Sequence, residues 1–128
     1  MKYLLFAYLV ILAALLIGCG AGHSNLTSIV VAPATATAAS SPQTTVGFTA
    51  TGKFSNNTNR MLTAADGLSW STSNTAVASI DDLGIATCQA AGSVTVTASA
   101  PQNLQLTINT GVSNTAVTIR ANATLNCQ

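Results

Sequence analysis

Short stretches that alternate apolar and polar residues, parted by turn residues, set the tightest limit on what this chain can fold into. Ser93-Val94-Thr95-Val96-Thr97-Ala98 alternates cleanly, and a side-chain period of two belongs to a strand. Residues 104–108 and 117–121 repeat the pattern, as do residues 44–54, with Val46, Phe48 and Ala50 on one face. Residues 27–32, 68–72, 76–80 and 85–89 complete the expected strands. Pro33 to Pro42 reads as a bend or an irregular edge strand, because proline has no N–H for a ladder. Residues 55–59 and 81–84 read as turns from their Asn, Asp and Gly content. Residues 62–67 read as a connection with room for a short helical turn. No window beyond residue 20 carries a useful 3.6-residue period. Many short strands at close spacing predict an all-β sandwich.

The N-terminus obeys a different rule. Met1-Lys2 is followed by an unbroken apolar run from Tyr3 to Ile17 and then by the small residues Gly18, Cys19, Gly20, Ala21 and Gly22. A charged start, an apolar stretch and a small-residue site form the layout of a secretory signal. As a helix rising ~1.5 Å per residue the run spans roughly 22 Å, short of a ~30 Å hydrocarbon core. Leu16-Ile17-Gly18-Cys19 resembles the lipobox of bacterial lipoproteins. The resemblance implies a diacylglyceryl group on the Cys19 thiol and cleavage before that residue. Two or more acyl chains anchor a protein stably, at ~0.8 kcal/mol per buried CH₂. Gly20 rather than Asp after the cysteine favours the outer membrane, by resemblance to lipoproteins of two-membraned bacteria. The expected organisation is a signal-peptide helix at 1–18, a lipidated cysteine and tether at 19–25, and one domain at 26–128.

With the signal removed, Lys53, Arg60 and Arg120 balance Asp66, Asp81 and Asp82. No basic patch remains to grip phosphates, so nucleic acid is not an expected partner. If Cys19 carries lipid, Cys88 and Cys127 are left. Outside the cytoplasm an even remainder points to a disulfide, with two free thiols or a metal pair as the alternatives. No second pair or nearby histidine completes a metal site.

Leu68-Ser69-Trp70-Ser71-Thr72-Ser73-Asn74-Thr75-Ala76-Val77-Ala78-Ser79-Ile80 gives the exported part a more definite likeness. With Gly84-Ile85-Ala86-Thr87 and Ala91-Gly92-Ser93-Val94-Thr95-Val96-Thr97-Ala98 it resembles the bacterial immunoglobulin-like domain, group 2, of the intimin and invasin type. Leu26-Thr27-Ser28-Ile29-Val30-Val31-Ala32-Pro33 looks like the first strand of that domain. The resemblance implies an immunoglobulin-like β-sandwich. Trp70, Phe48, Val77, Val94 and Val96 are the expected core, with Ile85 as further branched packing, and Gly84 and Gly92 allow tight turns. Residues 101–114 are longer than the family's usual link. Cys88 and Cys127 are not hallmarks of the family, and a single copy departs from the strings found in adhesins.

Enzyme chemistry finds little to work with. A catalytic site needs positioned acids, bases or nucleophiles, and the one histidine, His23, falls in the tether. Asp81 and Asp82 read as a solvated turn rather than half of a calcium site. Asp66-Gly67 is a turn, and Lys53 and Arg60 are expected in solvent. No cofactor and no small-molecule substrate are expected. The preferred function is a membrane-anchored, non-enzymatic domain for structure, adhesion or protein contact, with a partner unspecified. The alternative is a glycan-binding module using Phe54, the ring expected to be exposed beside residues 55–59.

Overall fold

The computed structural model describes residues 24–104 and 117–128. The expected signal peptide, its Leu16-Ile17-Gly18-Cys19 site, His23, and the strand at 104–108 beyond Leu104 lie outside them.

The described residues form ten strands and one short 3-10 turn. They are β1 (Leu26–Ala32), β2 (Thr35–Ala38), β3 (Thr45–Gly47), β4 (Thr49–Phe54), β5 (Asn59–Met61), the turn η1 (Ala64–Asp66), β6 (Ser69–Thr72), β7 (Ala78–Ile80), β8 (Ile85–Cys88), β9 (Gly92–Pro101) and β10 (Thr118–Cys127). Three sheets result, in the orders β1-β4-β5, β3-β8-β7 and β2-β10-β9-β6. All three contribute to one apolar core. The arrangement is an immunoglobulin-like sandwich, with the two smaller sheets facing the four-stranded one.

Local sequence explains the strand breaks. Leu26 and Ile29 are both buried although three residues apart. A bulge between Leu26 and Ser28 resets the alternation and turns both inward. Pro33 divides β1 from β2, and the chain changes layer there to run parallel beside β10. The irregular edge strand expected at 33–42 is thus β2. The stretch at 44–54 was expected as one strand and is two. It leaves the β8 ladder after Gly47 and joins the β1 ladder at Thr49. Phe48, at the crossing, donates its N–H to the Gly84 carbonyl (2.8 Å) and buries its ring. A period-two pattern fixes which face is buried and carries no information on which neighbour the backbone pairs with.

The longest ladder joins β9 and β10 in register from Pro101↔Thr118 to Gly92↔Cys127. Val94, Val96, Ala98 and Ala100 point inward from β9, opposite Ala123, Leu125 and Cys127 of β10. This ladder gives the domain two poles. At one, Leu26 N–H reaches the Gln102 carbonyl (2.9 Å) and Gln102 N–H reaches that of Val117 (2.8 Å). At the other, Gln128 N–H reaches the Ala38 carbonyl (2.9 Å) and Cys88 N–H that of Thr44 (3.1 Å).

Phe48, Val94 and Val96 are fully buried. Trp70 and Val77, also expected in the core, are partly buried and pack against its margin. Trp70 lies on β6, the edge strand of the large sheet, so one side of its ring lacks a cover. Ile85 corrects its expected packing role: it is 38% exposed, because alternation in β8 gives the interior to Ala86 and Cys88.

Candidate functional site

Where the chain changes sheets at Phe48, the front layer has a seam. A groove of about 130 Å³ opens there. Phe48, Leu62, Leu68 and Trp70 form its apolar wall, and Met61, Asp82 and Leu83 stand at its mouth. Met61 is 60% exposed and Leu83 80% exposed. Trp70 stands opposite Ala98, part-way along β9, so the groove opens on the flank and not at a pole.

Each side of the mouth is built by hydrogen bonds. On one side the Asp81 carboxylate accepts the N–H groups of Leu83 (3.0 Å) and Ile85 (2.8 Å), and Gly84 N–H returns to the Asp81 carbonyl (3.0 Å). Asp81 is therefore the organiser of the turn that presents Asp82 and Leu83, which differs from two equivalent solvated carboxylates. Gly84 sits at φ +80°, and a Cβ there would press on the Phe48 carbonyl oxygen and the Trp70 ring.

On the other side Arg60 is exposed, as expected, and also pairs with both Asp66 oxygens (2.6 and 2.9 Å). Asp66 also accepts the Thr63 N–H (2.9 Å), which ties η1 to the end of β5. The hydrogen bond from Arg60 holds the Asp66 carboxyl below the usual carboxylate range against the opposing effect of burial, and the same bond raises Arg60. Arg60 also lies over the Phe54 ring, 5.2 Å from its centre. Phe54 is 6% exposed and belongs to the core. Its expected role as an open platform for sugars is overturned: β4 alternation points it inward and the guanidinium lies over the ring.

Cys88 and Cys127 form a disulfide with Cα atoms 5.6 Å apart, joining β8 to β10 across the layers. Both sulfurs are buried. The bond therefore has a packing role and offers no exposed thiol chemistry. Among the described residues no group of three His, Cys, Asp or Glu side chains is placed to hold a metal ion. Nor is any described helix long and apolar enough to cross a membrane.

Met61 and Leu83 escaped sequence reasoning. Leu83 stands between Asp82 and Gly84, and Met61 comes at the end of the polar stretch 55–60 just before Leu62, both outside any periodic segment. The available signal is an isolated Leu between Asp82 and Gly84, within a stretch whose Asp and Gly content predicts only a turn.

Residues 57–102 match the family model for the immunoglobulin-like domain of intimin. The matched stretch runs from the turn before β5 through β9 and includes both sides of the groove mouth. No curated protein matches the chain. The fold defines an immunoglobulin-like β-sandwich. The match is consistent with its being a bacterial immunoglobulin-like domain of the intimin type, a kind that serves adhesion or protein contact and is usually displayed outside the cell.

Proposed function

We propose that the chain is the precursor of an exported lipoprotein, held on a membrane by lipid on Cys19, whose immunoglobulin-like domain acts by protein contact and not by catalysis. The intimin-type match over residues 57–102 carries the protein-contact part of this reading. Three further features support it. The N-terminal run ends in Leu16-Ile17-Gly18-Cys19. The buried Cys88–Cys127 disulfide fits an oxidising compartment. The tether would join β1 at Asn25, at the pole that also holds Gln102 and Val117. The opposite pole then faces away from the anchor, and the flank faces sideways. Gly20 favours the outer membrane as the site of attachment.

Crosslinking on intact cells tests the contact. The full chain should yield a specific crosslinked partner, and a Cys19→Ser form should lose it through loss of the anchor. A purified domain that turns over a substrate, with the turnover abolished by one point substitution, would overturn the reading.

A further inference from the structure

The groove has a size, a lining and a charge, and together they define an occupant. At about 130 Å³ it is well below the roughly 300–1,000 Å³ of small-molecule sites. It suits a single apolar side chain. Its mouth carries Met61 and Leu83, large apolar groups exposed where an isolated domain gains nothing from exposing them. The unbranched Met61 can adapt to a guest.

The charge is one-sided. Asp82 lines the groove and has no hydrogen bond or ion pair among the described residues. Its neighbour Asp81 is engaged by the turn. The nearby cation, Arg60, is taken by Asp66. The other two basic residues beyond the N-terminal run are Lys53, next to Phe54 at the far end of β4, and Arg120 on β10. The mouth is thus apolar with an uncompensated negative rim.

We propose that this groove binds a protein segment in which one aliphatic or aromatic side chain is flanked by lysine or arginine. The apolar side chain enters between Met61 and Leu83 onto Phe48 and Trp70, and the flanking cation meets Asp82. This assignment rests on the reading that the domain works by protein contact, and names the surface and the chemistry of the contact.

Trp70, the single tryptophan of the chain, lines the groove and reports occupancy by its fluorescence. The probes are two short capped peptides with a central Leu, one flanked by Lys and one by Glu, and a Lys-flanked control with Ala at the centre. The full chain should bind the Lys-flanked Leu peptide, and bind the other two at least fivefold more weakly. Asp82→Asn should weaken that binding about two- to fivefold, as for an exposed ion pair. Leu83→Ser should weaken it about tenfold, from lost apolar burial. Both side chains are exposed, so unchanged unfolding curves will show that the variants fold. Four outcomes overturn the proposal. They are binding without charge preference, binding indifferent to Leu83→Ser, no binding of any probe, and a groove closed by a second copy or by anionic vesicles. A failed peptide experiment beside a recovered surface partner would reject this groove and leave the contact function standing.

Discussion

Gly84 shows how one residue holds the seam of the front layer together. Its positive φ favours glycine, since a side chain in that region costs about 1–2 kcal/mol. The Cβ of any other residue would also collide with the Phe48 carbonyl. Gly84→Ala should therefore lower the unfolding free energy by about 2–4 kcal/mol. Gly47→Ala, whose added carbon meets only Ile85 Cδ1 at 3.6 Å, should change it little. Denaturant unfolding of the two variants makes the comparison. The sequence reading placed Gly84 at a tight turn, and φ agrees. It did not foresee the backbone pressed against that turn, because Phe48 is distant in sequence.

The Arg60–Asp66 pair makes a prediction in pH at the same scale. Asp66 has its folded-state pKa lowered, chiefly by the Arg60 hydrogen bond. Its contribution is present above the ordinary carboxylate value of about 4 and is lost as pH falls through the folded value. Arg60 is half exposed, and screening limits the contribution to about 0.5–1 kcal/mol. Asp66→Asn should cost that much near neutrality, and the difference from the unaltered chain should shrink below about pH 4. Unfolding curves recorded from pH 7 to 2.5 test it, and a constant difference would refute the assignment.

Among the elements, the strands were legible and their partners were not. Val94 and Val96 mark β9 by alternation alone, and β9 is a central strand buried on one face. Alternation at Val46, Phe48 and Ala50 was equally clear, yet the chain divides there between two sheets. Pairing is set by the backbone geometry of distant segments, and side-chain period does not encode it. β5 was missed for a different reason: its residues Asn59, Arg60 and Met61 are all exposed, so no burial pattern marks them. The disulfide was inferable from cysteine parity, although its placement between β8 and β10 was not. Closing a span of 39 residues should stabilise the domain by about 4 kcal/mol in the chain-entropy estimate. Cys88→Ala with Cys127→Ala should lower stability by about 2–4 kcal/mol. Reductant should destabilise the unaltered chain and leave the double variant unchanged.

For the molecule as a whole, the features combine into a directional arrangement. β1 begins at the same pole as Gln102 and Val117, and β10 ends at the other, beside the disulfide. Under the proposed anchoring, a tether entering β1 would leave the flank groove open sideways and the disulfide pole outermost. The composition of this body was readable in advance: neutral, poor in aromatic residues and rich in Thr and Val. The groove was not, since it arises where two sheets part and its mouth is furnished by Met61 at the end of β5 and by the turn holding Asp82 and Leu83, segments about twenty residues apart. The central claim is that this sandwich works while tied to a membrane through Cys19. Mass spectrometry of the N-terminal peptide from cell-derived protein tests it most directly. The predicted result is a peptide beginning at Cys19 and carrying the mass of a diacylglyceryl group. A chain that keeps residues 1–18, or one cut there with an unmodified Cys19, would contradict the account.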